Sequence, residues 1–320
     1  MNELKYLDGD RLWACADIPD IISDAIGKLK ANQGWEDSPQ HRLRLKNDWS
    51  SCEYGAVLCL SKSLELFLVK AGIYSVEESM DTAEKLRPRA PSLRATASIM
   101  CATTGRLLAL MDGGALTAIK CSVLAGTILE LYSSRKTPRI TIYGAGEVAK
   151  SIIRGVLSVT KVESITIICR SKNSFDRIKA DITSFYPDVF FSFEEFMQND
   201  NRATDADIVF TATSSDKNVI MKAENFRRAE LICCMGQYSS DNREFDDSFL
   251  NSTRSIIVDD CEVAITMAGL DNCHLVSLQA DVRLQRIEKL PRQVLFFSVG
   301  SASWDMLVVS HLLKSISFEC

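Results

Sequence analysis

The stretch Arg139 to Gly155, RITIYGAGEVAKSIIRG, has the residue types and spacing with the most definite chemistry in this 320-residue chain. Gly144 and Gly146 let a turn close and bring backbone N–H groups against a pyrophosphate, and the small Ala149 lets the following helix sit close to the strand. The predicted cradle is Gly144, Ala145, Gly146, Glu147 and Val148. An ordinary strand-turn-helix without a ligand shares the bare GxGxxA spacing. The context separates the two: the apolar strand ITIY precedes the turn, a helical pattern follows, and a second strand, Ser164 to Arg170 (SITIICR), arrives at the expected distance.

The tip of that second strand bears on cofactor choice. An acidic residue there binds a ribose 2′-OH and selects NAD. This strand ends Cys169, Arg170, Ser171, Lys172, and two cations with a hydroxyl suit a 2′-phosphate. NADP(H) is therefore the expected cofactor, with NAD(H) possible; alternatively, Arg170 and Lys172 decorate the start of the next helix. Thr211, Ala212 and Thr213, followed by Ser214, end the strand DIVFTATSS at the carboxyl edge, where open α/β sheets bind ligands. Lys70 interrupts the apolar run LELFLVKAG, as either a solvated edge residue or a buried functional amine. No metal site is expected. His41, His274 and His311 are far apart and no CxxC pair occurs.

These residues need a scaffold, and the pattern supplies two kinds. From Arg139 the alternation is regular: strand 139–143, helix 147–158, strand 164–169, helix 173–184, a strand near 188–192, then strands at 207–213, 230–236 and 255–259. Such alternation implies a parallel sheet with right-handed crossovers. The first ~130 residues are less regular. An amphipathic helix is expected over 20–32, strands over 55–61 and 64–71, a hairpin of 94–102 with 106–111, and a helix over 115–132. The tail after Leu295 reads as a turn and an amphipathic helix packing back on the first domain. The expected fold class is α/β: a Rossmann doubly wound parallel sheet over 131–300, beside an α+β substrate and dimerisation domain formed by 1–130 and 301–320.

Composition narrows the function classes. Hydrophobic residues make up 46% and charged residues 25%, and no apolar run is expected to reach the ~20 residues of a membrane span. A net charge of −5 argues against a nucleic-acid surface. The N-terminus, MNELKYLDGDRLW, lacks a basic region followed by an apolar one, and the eleven cysteines are scattered, several inside apolar runs. Reduced thiols and a cytoplasmic location are expected.

Several ordered blocks jointly resemble the ornithine cyclodeaminase and mu-crystallin family over nearly the whole chain. They are GRLLALMDGGALTAIK (Gly105 to Lys120), the GAGEVA turn, DADIVFTATSS, MGQYSSDNREFDDSFL (Met235 to Leu250), VDD (Val258 to Asp260) and SVGSASWD (Ser298 to Asp305). The resemblance implies a homodimer that uses NAD or NADP to move hydride at a carbon carrying nitrogen. It places the carboxylate-binding arginine at Arg42, with Arg44 as competitor, and the active-site lysine at Lys70. It sets Thr211 to Thr213 beside the adenosine and ribose, and Ser298, Val299 and Gly300 on the nicotinamide side. Asp305 is left with either a structural role in the last helix or a catalytic one.

Two departures from the family pattern shape the expected activity. Where the family has a carboxylate-clamping arginine, this chain has Lys120, which keeps the charge and loses the bidentate fork; a solvated lysine on the helix is the alternative. Where the cyclodeaminases carry a proton-transferring aspartate, this chain has Tyr238. A phenol of pKa near ~10 is a poor base at neutral pH, though it donates a hydrogen bond. Ketimine reductases of the family also lack the aspartate. The expectation is an NADP(H)-dependent reductase of a cyclic or N-substituted imino acid, with Lys70 and Tyr238 catalytic and Arg42, Lys70 and Lys120 binding substrate. The alternatives are an amino-acid or opine-type dehydrogenase acting on a secondary amine, and a catalytically impaired member that binds NADP(H) and a small ligand. Should ornithine prove a substrate, Asp241 or Glu244 would be the base.

Overall fold

The computed structural model describes residues 6–31, 40–46, 52–75, 93–196, 204–213, 223–236, 244–245, 249–250, 255–283 and 293–316. Two compact units emerge: Met1–Asp17 with Gly34–Lys120 and Ala302–Cys320, and Ile18–Gln33 with Cys121–Ser301. Residues Ile18–Gln33, read from sequence as part of the first domain, group with the second unit, and the division between units falls inside a helix rather than near residue 130.

The first unit is built on a six-stranded sheet in the order β1-β6-β5-β4-β3-β2. Its strands are β1 (Tyr6–Leu7), β2 (Gln40–Lys46), β3 (Cys52–Ser61), β4 (Leu66–Ser75), β5 (Leu93–Cys101) and β6 (Leu107–Asp112). β2 through β6 pair antiparallel and β1 joins β6 in parallel. In β2, Arg42 and Arg44 alternate with Leu43 and Leu45, so the cations share one face and the leucines the other. The leucine face is open: Leu43 and Leu45 are 61% and 67% exposed, with Leu60 and Ile73 partly exposed on the same side. β1, β2 and the helix α1 (Gly9–Cys15) were not anticipated as elements; α1 is only two turns long, capped by the Asp8 carboxylate on the Arg11 N–H at 3.0 Å.

The final helix, Ala302–Ser315, belongs to this unit and lies near β3. It was expected to be amphipathic. Instead ten of its residues are buried, from Ala302 through Leu313, and among them is the carboxylate of Asp305.

In the second unit, eight parallel strands run in the order β13-β12-β14-β11-β10-β7-β8-β9. From β7 (Arg139–Tyr143) the chain adds β8 (Ser164–Cys169) and β9 (Phe191–Glu195) on one side, and β10 (Ile208–Thr211) and β11 (Leu231–Cys234) on the other. That reversal leaves a crevice at the carboxyl ends of β7 and β10, the place where a parallel sheet receives ligands. β14 (Val294–Phe297) inserts between β11 and β12 (Ile256–Val258), so the Phe296–Phe297 pair read as leading into a turn is a buried central strand. β13 (Leu275–Ser277) closes that edge.

Helix α3 (Gly113–Tyr132) revises the reading of membrane propensity: at 20 residues it is long and apolar enough to cross a bilayer by length and composition. Yet 67% of its apolar window is buried within the protein, against helices α2 (Ile18–Ala31) and α4 (Glu147–Val159). A Cβ on Gly126 would collide with Ile22, and one on Gly155 with the Ser122 carbonyl, so close helix contact explains both glycines.

Candidate functional site

In the first unit the sheet register sets the cations. Arg42 pairs with Val57 and Val57 with Lys70, so Arg42 and Lys70 stand in one row on the same face, one strand apart. Lys70 is nearly buried and its ammonium donates to Asp305 Oδ1 at 2.7 Å and to Thr117 Oγ1 at 3.2 Å. Thr117 spends its own proton on the Gly113 carbonyl at 2.7 Å, which leaves its oxygen free to accept. Lys120 lies three residues further along α3, on the same helical face. It donates to the other oxygen of Asp305 at 3.0 Å. Asp305 itself is 1% exposed in the first turn of the final helix, whose start is fixed by the Gln40 side-chain carbonyl accepting the Ala302 N–H at 2.8 Å.

Burial lowers Lys70 from an ordinary 10.5 to about 8, with Asp305 opposing the shift and the charges of Lys120 and Arg42 adding to it. Burial alone would raise Asp305, but Lys120 and Lys70 outweigh it and hold the carboxylate below its usual range. The two directions agree physically. One carboxylate faces two lysines, so it stays ionised, while burial favours the neutral form of Lys70. The buried Cys59 thiol is pushed up to about 12 by desolvation and by Asp305, which makes it inert as a nucleophile.

The second unit carries the predicted nucleotide turn. Gly144 has φ +111°, and a Cβ there would run into the Ala212 carbonyl, so glycine is required by backbone conformation and by the close approach of β10. The Gly144 N–H bonds the Ile168 carbonyl at 2.9 Å, and the Ala212 N–H bonds that of Tyr143 at 2.8 Å. Gly146 caps α4 with no side-chain hydrogen bond, and a Cβ there would meet nothing within 4 Å. An uncapped helix N-terminus with open space before it, and Ala149 fully buried behind, fits a dinucleotide pyrophosphate.

The flanking loops are held by carboxylates that sequence reasoning did not place. Glu244 is fully buried and accepts from Thr211 Oγ1 at 2.6 Å, Thr213 Oγ1 at 2.6 Å and Thr213 N–H at 2.8 Å. The Thr211 and Thr213 hydroxyls, assigned from sequence to the cofactor, are thus spent on an internal carboxylate; Ala212 is half-buried beside Gly144. Burial raises Glu244 against these hydrogen bonds, and the enclosure argues against the solvent-linked base considered for it. Asp259 gathers the N–H groups of Val299, Gly300 and Ser301 at 2.7–3.1 Å and the Ser298 hydroxyl at 3.2 Å, shaping the loop after β14. Gly300 takes φ +81° within it.

At the tip of β8, Arg170 is exposed, Ser171 N-caps helix α5 (Lys172–Thr183), and Lys172 pairs with Asp176 one turn on. Of the three residues expected at a 2′-phosphate, two already have local helix partners. Tyr238, Ser214 and Asp241 lie outside the described residues. The central residue that the sequence left undecided is Asp305. Its signal was an acid inside an otherwise apolar helix, SASWDMLVV, which is costly to bury unless paired.

Similarity to known proteins gives the family and the fold. The model of the ornithine cyclodeaminase/mu-crystallin family matches residues 72–287, more than half of the chain. The chain belongs to that family. The matched span includes Lys120 and the nucleotide turn, whereas Arg42, Lys70 and Asp305 lie outside it. A curated relative, the Delta(1)-pyrroline-2-carboxylate reductase of Colwellia psychrerythraea, is 24% identical over 228 residues, covering 67% of this family member and 71% of the relative. The Delta(1)-pyrroline-2-carboxylate reductase of Thermococcus litoralis, solved in complex with NADH and L-proline, has a TM-score of 0.80 at 17% identity, covering 97% of this chain and 96% of that one. The iminosuccinate reductase of Paracoccus denitrificans, in complex with NAD+, has a TM-score of 0.76 at 18% identity, covering 98% and 96%. At such identities the structural likeness establishes the shared fold.

Proposed function

We propose that this protein is an NADP(H)-dependent oxidoreductase that reduces the C=N bond of a cyclic or N-substituted imino acid. The observation that carries this reading is the nearly buried cluster of Lys70 and Lys120 on Asp305, with Arg42 in the same sheet row: an excess of positive charge suited to a substrate carboxylate. The names of the proteins compared above, a Delta(1)-pyrroline-2-carboxylate reductase and an iminosuccinate reductase, support the same chemistry. The nicotinamide, when bound, supplies a hydride to the imine carbon. The chain's part is to hold the carboxylate, keep the nitrogen protonated and exclude water. A protonated imine takes up hydride and becomes a secondary amine with no further proton required. Lys70 is the group that holds the carboxylate, and the phenol oxygen of Tyr238 accepts a hydrogen bond from the protonated nitrogen. Arg170, with Lys172, favours the 2′-phosphate of NADP(H). The exposed face of Leu43 and Leu45 is the surface we assign to a homodimer, and Leu43→Asp with Leu45→Asp should shift the protein to monomer on size exclusion.

The test is incubation with NADPH and a panel of five- and six-membered cyclic imino acids, following nicotinamide absorbance and transfer of deuterium from 4-deuterated NADPH to the α-carbon. Turnover with label at that carbon is expected. Binding of NADPH and carboxylate without turnover of any imine would overturn the assignment in favour of a ligand-binding role. Ammonia release from ornithine would overturn the argument from Tyr238.

A further inference from the structure

We infer that Asp305 is a positioning residue that joins Lys70 and Lys120 into one two-point clamp for the substrate carboxylate, in place of the single forked guanidinium that an arginine at position 120 would supply. The inference rests on the proposed binding of an imino acid, and adds to it the origin of the binding geometry. A lone ammonium is a point charge with rotatable donors, whereas a guanidinium presents two donors at fixed spacing. Lys120 alone therefore cannot orient a carboxylate plane.

Two lysines from different elements gain that spacing when one rigid acceptor holds both. Lys70 comes from β4 and Lys120 from α3, and the two oxygens of Asp305 take one each, at 2.7 and 3.0 Å. Asp305 has little freedom of its own, being 1% exposed within a helix whose first N–H is tied to Gln40. Thr117 fixes a second direction at Lys70, at 3.2 Å. Each ammonium has three donors. Among the described residues, two at Lys70 and one at Lys120 are engaged by these contacts, so both retain donors for a ligand. A second carboxylate bridging the same two ammoniums meets the spacing that Asp305 has already set. It also brings the negative charge that the group lacks, since Asp305 alone does not balance two lysines.

The experiment uses the full chain saturated with NADPH and the planar probe pyrrole-2-carboxylate, titrated by calorimetry. Asp305→Asn keeps the side-chain shape but turns one acceptor into a donor facing an ammonium. It should weaken the probe at least tenfold, with the NADPH dissociation constant within twofold of the unmodified protein. In a Lys120→Arg background, where the guanidinium brings its own fork, the same Asp305→Asn change should cost at least threefold less. A purely structural aspartate would give the same penalty in both backgrounds, and that result overturns the clamp. So does unchanged probe binding in Asp305→Asn, or failure of the unmodified protein to bind the probe. If Asp305→Asn does not fold, Lys120→Gln decides: it keeps a hydrogen bond to Asp305 without the charge and should lose at least tenfold in probe affinity, unchanged affinity being the overturning result. Probe binding that follows this pattern without turnover of any imine would leave the clamp standing and overturn only the proposed reaction.

Discussion

The two units gather positive potential in opposite ways. The second unit does it with backbone: a glycine at φ +111°, an uncapped helix N-terminus, and strands whose order reverses beside the turn. The first unit does it with side-chain charge, through two nearly buried lysines from different elements meeting on one aspartate. A backbone site depends on conformation and tolerates no side chain at the critical position. A charge site depends on the balance of a few ionised groups in a poorly solvated place, where each group changes the others. Substitutions should therefore fail differently in the two units.

The largest effect is expected at Lys70. Lys70→Met removes a nearly buried charge, should lower turnover of an imino acid by roughly 10²–10³, the range for losing a preorganised electrostatic contact, and should leave NADPH affinity intact. Stopped-flow reduction and NADPH fluorescence titration measure the two separately. Unchanged turnover would remove the first unit from the chemistry.

Gly144→Val is the counterpart in the second unit. It puts a β-branched residue in a left-handed conformation, at a cost of order 1–3 kcal/mol, and drives a side chain into the Ala212 carbonyl. NADPH and NADH affinity should fall together and the melting temperature should drop. Loss of one cofactor alone would contradict a backbone site.

The contrast also explains what could be read from the sequence. The nucleotide turn was legible because its elements are local: ITIY, GAG and the helix after it are contiguous, and β7, α4 and β8 form at or within a residue of where the pattern put them. β14 was missed because its four residues run straight into a glycine turn, and its place between β11 and β12 is a long-range pairing that no local pattern records. Lys70 and Lys120 were legible as candidates and ambiguous as to burial. Their meeting on Asp305, 235 and 185 residues away along the chain, comes from tertiary packing. Thr211 and Thr213 lie at the expected strand end, and the partner of their hydroxyl protons, Glu244, is a tertiary contact that no local pattern records.

Cofactor selectivity is expected to change more moderately. Arg170→Ala with Lys172→Ala should weaken NADPH by roughly 1.5–3 kcal/mol, the worth of a charge-assisted hydrogen bond, and leave NADH nearly unaffected. Arg170 should carry most of it, since Lys172 already has Asp176 as partner. Equal losses for both cofactors would show that the β8 tip only starts a helix.

A pH profile tests the charge site without mutation. Lys70 titrates at about 8 in the folded protein, with Asp305, Lys120 and Arg42 as its charged neighbours and Thr117 and the Cys59 thiol nearby. If the ammonium holds the substrate, kcat/KM is at its full value below about 8 and falls about tenfold per pH unit above it, as the proton is lost. Substrate carboxylate should raise that pKa, so the limb in kcat should lie at higher pH than the limb in kcat/KM. A flat kcat/KM through this range would separate Lys70 from catalysis.

The smallest effect is expected from restoring the arginine that the family pattern places at position 120. Lys120→Arg retains the charge and the pairing with Asp305 Oδ2, and adds a donor at fixed spacing. KM for a small imino acid should fall by a factor of about two to five, the worth of one added hydrogen bond of roughly 0.5–1 kcal/mol. The larger side chain enters a site where Lys120 is only 6% exposed, so overpacking should lower stability by about 1–3 kcal/mol, read as a lower melting temperature. A gain in affinity together with a loss in stability is what a charge site predicts, since its geometry follows from which groups share Asp305. A rise in KM would mean that the pocket has been reshaped around lysine for a different carboxylate position, and would move the search for the clamp to Arg42 and Arg44 in β2.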